Sequence, residues 1–273
     1  MSAPLYSETC GHAGGAPAAP LVLLHGWGMN LRVFDTLRAA LAERHVVTAI
    51  DLPGHGRSDW AQAQAAEQLL ERVAACVPRG ATLVGWSLGG QLALQLAAQR
   101  SLGVRRLVLI ASTPRFVSGD DWPHGLHAAT LRGFATQLEH DPRACIAEFL
   151  QLQVRGSHAA AAVHSLLQAC LREHGEARAE SLAAGLALLA HNDLRALARD
   201  LDMPVLLISG QYDRVTPATA AQALSQLLPQ AQLLTLARAG HAPFLSHPQP
   251  VIAALHAFCG RPDVRSAAAA GTA

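Results

Sequence analysis

The feature that most restricts this chain is a rhythm of short apolar runs separated by stretches of helical periodicity. Leu21–Leu24 (LVLL) is the first run, followed by 45–50 (HVVTAI), 82–85 (TLVG) and 106–111 (RLVLIA). Between them, helix-spaced apolar residues cover 31–43 and 62–76, and a further helix starts near Leu88. A strand without polar alternation is buried on both faces, and strands that alternate with helices pair in parallel because each crossover needs a helix. The pattern predicts an α/β fold: a mostly parallel central sheet with helices on both faces.

The rhythm stops at Ser112-Thr113-Pro114, and no strand pattern follows until Pro204. Helical stretches over 125–138, 143–153 and 159–174 fill the gap. Strands then return at 204–209 (PVLLIS) and 232–236, with helices over 218–228 and 250–259. With 273 residues the chain is long enough for one core and an inserted subdomain. Residues 1–113 and 200–260 are expected to form the core. Residues 114–199 are expected to be a helical lid over the carboxyl ends of the strands, where open α/β sheets bind ligands. The stretch 261–273, which ends in SAAAAGTA, is expected to be a disordered tail.

Composition removes several classes of function. The formal net charge is +1, and all 21 basic residues are arginine. A chain so balanced carries no electrostatic footprint for nucleic acid or an anionic membrane. No apolar run approaches the roughly 20 residues that cross a bilayer, and 1–20 lacks a basic and apolar leader pattern. The expectation is a cytoplasmic monomer with no nucleic acid or membrane partner. Cys10, Cys76, Cys145, Cys170 and Cys259 are scattered and form no CxxC pair, which predicts reduced thiols.

The third apolar run leads into Gly85-Trp86-Ser87-Leu88-Gly89, a G-x-S-x-G match with a strand before it and a helix after it. A serine on such a turn sits in a strained conformation that raises its hydroxyl above the sheet edge, and its neighbours must be small. The helix amino terminus adds free N–H groups suited to a developing oxyanion. The hydroxyl needs a base and the base an orienting acid, in the chain order Ser, Asp or Glu, His. Asp213 follows the 204–209 strand, and His241 lies in Ala239-Gly240-His241-Ala242-Pro243, between the last strand and the last helix. Ser87 is therefore the candidate nucleophile, His241 the base and Asp213 the acid. Asp193 and Asp202 compete for the last role but precede that strand, at its wrong end. His25-Gly26-Trp27-Gly28 follows the first run, where the Trp27 N–H is expected to join the Leu88 N–H as an oxyanion donor. The rings of Trp27 and Trp86 are expected to add an apolar wall.

Two other patterns fail on chemistry. Gly54-His55-Gly56 does not extend to a phosphate-binding GxxxxGK[ST], and there is no lysine to serve one. His124, His127, His140 and His158 lack the i,i+4 spacing with a carboxylate that a zinc site would use. No metal and no cofactor is expected.

On these motifs the chain resembles the α/β-hydrolase superfamily over 21–258. Within it, the chain is similar to the pimeloyl-[acyl-carrier protein] methyl ester esterases of biotin synthesis. The resemblance rests on LVLLHGWGMN (21–30), DLPGHGRSD (51–59), GWSLGG (85–90), AS-x-P with a following DDWP (111–123), FLQLQ (149–153), DLR (193–195) and AGHAPFLSHP (239–248). It implies a serine carboxylesterase that hydrolyses the methyl ester of a pimeloyl chain borne by acyl carrier protein. It also implies that Trp27, Ser87, Leu88, Phe149, Leu150, Gln151, Leu152, Gln153 and His241 line the acyl pocket. Lid arginines would hold the acidic carrier, and here Arg132, Arg143, Arg155 and Arg172 are on offer, diluted by Glu139, Asp141, Glu148, Glu173 and Glu176. The same triad also serves other carboxylesterases, thioesterases and C–C bond hydrolases, and a non-catalytic receptor could keep the fold. Ser87 at the nucleophile position argues against epoxide hydrolases and haloalkane dehalogenases, which need a carboxylate there.

Overall fold

A computed structural model describes residues 4–11, 19–60 and 66–261. The apolar runs form β2 (Leu21–Leu24), β3 (Val47–Ile50), β4 (Thr82–Trp86), β5 (Arg106–Ile110), β6 (Val205–Gly210) and β7 (Ala231–Leu236). These strands pair in parallel, and a further strand, β1 (Ser7–Cys10), adds antiparallel to β3, giving the order β1-β3-β2-β4-β5-β6-β7. β1 has no apolar signal: its residues SETC are exposed or half-buried at the sheet edge, so only pairing with β3 defines it.

Successive residues of a strand point to opposite faces, and the central strands feed two apolar layers in this way. Val22, Leu24, Leu83, Leu107, Leu109 and Leu207 pack on one side with α3 (Leu88–Ala97). Leu21, Leu23, Val84, Val108, Ile110 and Ile208 pack on the other with α1 (Asp35–Ala42) and α11 (Pro248–Cys259). Each such side chain contributes about 1.5–3 kcal/mol by leaving water. The first helical stretch begins as a 3-10 turn, Leu31–Phe34, before α1, and α2 spans Ala66–Ala74. The predicted start of α2 at Gln62 lies outside the described residues, as does the expected tail beyond Arg261.

Between β5 and β6 the chain forms only helices: α4 (Ala128–His140), α5 (Pro142–Val154), α6 (Ala160–His174), α7 (Ala179–His191) and the short α8 (Arg195–Arg199). Asp141 separates α4 from α5. Its carboxylate accepts the Ala144 N–H at 3.0 Å, and Pro142 opens the new helix, where a missing N–H costs nothing. An ion-pair cluster joins the two ends of this insert. Arg195 binds Asp121 and Asp193, Arg115 binds Asp121, and the Arg195 guanidinium lies 5.8 Å from the Trp122 ring centroid. The DDWP and DLR segments thus meet at the root of the insert. α9 (Ala218–Leu227) joins β6 to β7, and the short α10 (Pro243–Ser246) precedes α11. Among the described residues no helix is long and apolar enough to cross a membrane.

Candidate active site

Strand register sets the positions of the functional loops. Leu24 pairs with Gly85, Trp86 with Ile110 and Gly210 with Leu236, so the loops after β2, β4, β6 and β7 leave from one edge of the sheet. That edge is the carboxyl end of the parallel strands. Ser87 sits immediately after β4 with φ 55° and ψ −118°, in the left-handed half of backbone space where a side chain is strained. The neighbouring glycines allow this turn. A Cβ on Gly85 would lie 2.3 Å from Gly89 O, and one on Gly89 would lie 2.2 Å from Leu24 O.

The Ser87 Oγ lies 2.9 Å from His241 Nε2, and His241 Nδ1 lies 2.8 Å from Asp213 Oδ2. All three residues are buried, with Ser87 3% exposed and His241 0%. The structure therefore brings together Ser87, Asp213 and His241 in the predicted chain order. Asp193 instead belongs to the ion-pair cluster at the root of the insert. Asp213 is held by more than the histidine. Oδ1 accepts the Val215 and Thr216 N–H groups at 2.8 and 2.9 Å, and Oδ2 accepts the Thr216 hydroxyl at 2.8 Å. Thr216 was not among the residues expected from sequence. Its position three residues past an acid in a strand-end turn is the one signal for it.

Gly26 packs directly on the serine: a Cβ there would lie 3.2 Å from Ser87 Cβ. The next residue is Trp27. Among the described residues neither the Trp27 N–H nor the Leu88 N–H has a hydrogen-bond acceptor, although both residues are buried. Buried backbone donors without partners are rare, and here one belongs to the residue that follows the serine and the other to the residue that follows Gly26, which packs on it. Both tryptophans carry a role beyond an apolar wall. The Trp86 indole N–H donates to His241 O at 2.8 Å and fixes the histidine loop to β4. The Trp27 indole N–H donates to Leu182 O in α7, also at 2.8 Å.

α5 divides the FLQLQ segment between its faces. The Phe149 ring meets Trp27 edge-on at 5.0 Å and Phe134 of α4 at 5.7 Å, and lies 6.5 Å from the His241 ring. Gln153, one turn on, is 1% exposed, its amide atoms have no partner among the described residues, and its carbonyl accepts the His241 N–H at 2.9 Å. Gln151 does not join them: it is exposed and its amide lies 3.0 Å from His164 Nε2. Residues two apart on a helix face nearly opposite ways, so the expectation that Gln151 lines the pocket is corrected. Leu150 is buried in the second apolar layer, and Leu152 is half-buried against the first.

Two cavities flank α4 and α5. One of ≈ 680 Å³ lies between α4 and α7, with Leu131, Leu138 and Leu186 as apolar wall and Arg132 and Glu139 as charged lining. The other, of ≈ 210 Å³, reaches from Arg143, Arg172 and Glu176 to Gly28. Neither is lined by Ser87 or His241. Arg143 is highly exposed and pairs with Glu176 at 3.2 Å. Arg132 and Arg155 are exposed, with no ion-pair partner among the described residues.

Buried histidines crowd the loops after β2 and β3. His25 Nε2 accepts the Leu52 N–H at 2.9 Å, and His55 Nε2 lies 3.4 Å from the Gly28 nitrogen. Burial above all holds both well below the usual imidazole range, His55 at about 4. His174 of α6 lies 2.7 Å from Asp51, and both are buried.

A family model described as the α/β hydrolase fold matches residues 19–248. A pimeloyl-[acyl-carrier protein] methyl ester esterase of Nitrosomonas europaea is 40% identical over 256 residues, covering 94% of this chain and 100% of that protein. One of Xanthomonas oryzae is 43% identical over 256 residues, covering 93% and 98%. One of Xylella fastidiosa is 41% identical over 257 residues, again covering 93% and 98%. Among solved structures, a bromoperoxidase from Bacillus anthracis superposes with TM-score 0.82 at 20% identity, covering 94% of this chain and 95% of that one. An esterase from Exiguobacterium antarcticum gives 0.81 at 21% identity, covering 94% and 96%. At such identities the structural likeness concerns the fold alone.

Proposed function

The chain belongs to the α/β-hydrolase fold family and, within it, to the pimeloyl-[acyl-carrier protein] methyl ester esterases, and from that premise we propose that it hydrolyses the methyl ester of a carrier-borne pimeloyl chain. The observation that carries the chemistry is the unbroken line Asp213–His241–Ser87 beside two unpaired backbone donors.

Ser87 Oγ attacks the ester carbonyl while His241 Nε2 takes its proton, and Asp213 holds the ring by its Nδ1–H and stabilises the imidazolium. The tetrahedral oxyanion accepts from the Trp27 and Leu88 N–H groups. Such donors are each worth about 2.7–4 kcal/mol in the transition state. His241 then protonates the departing methanol, and a water deprotonated by the same nitrogen attacks the acyl-enzyme and releases the free acid. Phe149, Trp27 and Phe134 provide the apolar surroundings that suit an acyl chain.

The helical segment 114–199 acts as a lid over a core made of 1–113 and 200–260. Ser87 is covered, so the acyl chain enters when this segment moves off the serine. Arg132 and Arg155, unpaired on the lid surface, are the best placed to meet an acidic carrier, with Arg143 shared with Glu176. The enzyme works as a cytoplasmic monomer.

The test is methanol release from pimeloyl-carrier methyl ester by purified protein, with Ser87→Ala as control. Turnover that disappears in a natively folded Ser87→Ala protein supports the reading. No methanol from the wild-type enzyme, alongside brisk hydrolysis of unrelated short esters or thioesters, would reassign the substrate.

A further inference from the structure

The loop that carries the Trp27 N–H is fastened to the lid at several points. The Trp27 indole donates to Leu182 O at 2.8 Å, and the Asn30 amide donates to Cys170 O and to Gly175 O, both at 3.0 Å. These carbonyls surround the corner between α6 and α7. On the core side the Leu31 N–H donates to Asp51 at 2.8 Å, and Gly28 N lies 3.4 Å from His55. Even these two braces touch the same corner: Asp51 meets His174 at 2.7 Å and His55 meets the Ser181 hydroxyl at 3.0 Å.

Asn30 is fully buried, and all its polar positions are used. Both amide hydrogens go to lid carbonyls, and Oδ1 accepts the Arg32 N–H at 3.1 Å as the cap of the 3-10 turn. Two donors and an acceptor on one short side chain are available only from an amide. Trp27 lies three residues before it, on the same loop, and Gly26 presses that loop on Ser87.

We propose that Asn30 is a positioning residue that couples the seating of the α6–α7 corner to the oxyanion donor at Trp27. With the corner docked, Asn30 draws the loop into the shape that holds the Trp27 N–H beside Ser87. With the corner displaced, the loop loses its anchors, and the donor with them. The lid thereby completes the catalytic geometry as well as covering it. This inference rests on the reading of Ser87 and the Trp27 N–H given above.

Asn30→Ser separates the two tasks of the side chain. Serine still caps the 3-10 turn, but it offers one short donor in place of two. The comparison variant is Arg195→Ala, which cuts the ion pairs at the lid root without touching the loop. Each protein is assayed with p-nitrophenyl butyrate for kcat and KM, and with butylboronic acid, whose serine adduct carries an anionic oxygen where the oxyanion forms. Expected for Asn30→Ser is a fall of about ten- to hundredfold in kcat, a matching loss of boronate affinity and a KM within about threefold, with Arg195→Ala within about threefold throughout. Wild-type kcat and boronate affinity in Asn30→Ser, whatever the change in Tm, overturn the proposal. Equal losses in Arg195→Ala also overturn it, because any loosening of the lid would then suffice. Should Asn30→Ser fail to fold, Asn30→Asp replaces it: it keeps the shape and capping oxygen, has no N–H for the lid carbonyls, and carries the same expectation. Wild-type turnover in Ser87→Ala would refute the catalytic reading itself, and this proposal with it.

Discussion

Acidification should destabilise this protein through its buried histidines, and His55 gives the magnitude. Its ring is 2% exposed, with Nδ1 at 3.0 Å from both Pro53 O and the Ser181 hydroxyl. Burial lowers its pKa from 6.5 to about 4, against the raising effects of the Pro53 carbonyl and the Asp51 charge. The unfolded chain therefore takes up a proton near pH 6.5 that the folded chain refuses until about pH 4. The stability gained by keeping His55 neutral is fully present above 6.5 and is lost as pH falls towards 4. At about 1.36 kcal/mol per pH unit, this span amounts to about 3 kcal/mol, a large part of the 5–15 kcal/mol typical of a domain. His25, its ring 5.2 Å away, is lowered first by burial and then by the His55 charge, and it acts in the same direction. Glu8 titrates lower: burial raises it, but Arg38, Tyr6 and Arg32 together hold it at about 2, so its loss belongs mainly to more acidic solutions. The assay is urea unfolding at pH 7.5, 6.5, 5.5 and 4.5 for wild type and His55→Gln, whose amide oxygen can still face Gly28. Wild-type stability should fall steeply across this range, and the variant's slope should be shallower by about one proton, near 1.36 kcal/mol per pH unit. Parallel slopes, or a flat wild-type profile, would refute the linkage of burial to proton binding.

Asp213→Asn should lower kcat on the order of 10⁴-fold by favouring the wrong histidine tautomer, while Asp193→Asn, which alters only the ion pairs at the root of the insert, stays near wild type in the same ester assay. Thr216→Val removes a hydroxyl donor from Asp213, a contact to a charged group worth about 1.5–3 kcal/mol. With Asp213 held less firmly against the His241 ring, kcat should fall about tenfold in the same ester assay with KM little changed, and Thr216→Ser should restore it. Wild-type kcat in Thr216→Val would make Thr216 structural only. Replacing Arg132 and Arg155 together with Ala should lower kcat/KM for the carrier-borne ester and flatten its salt dependence, since exposed charges are screened beyond roughly 8–10 Å at 0.1–0.15 M. A small uncharged ester should be unaffected, and equal salt slopes for the two substrates would remove these arginines from carrier docking.

The six parallel strands and the meeting of Ser87, Asp213 and His241 are legible in the sequence alone. The central strands β2, β4, β5 and β6 are mostly apolar because both faces are covered, and parallel pairing delivers the carboxyl ends of β2–β7 to one edge. An acid after β6 and a histidine after β7 then have to meet a serine after β4. Family motifs extended this to the helical insert, as a list of positions without directions. Tertiary structure decided the directions. β1 exists only because β3 offers it an edge, for SETC has no apolar face to announce it. Within one helix, Phe149 and Gln153 turn inward while Gln151 turns out, since the phase of α5 is set by what it packs on. The contacts of Asn30, Trp27 and Asp51 with the α6–α7 corner join residues more than 120 positions apart. Local propensity and spacing cannot encode such pairs. They form where burial leaves a polar group one partner to choose, and that partner is known only once the chain has packed.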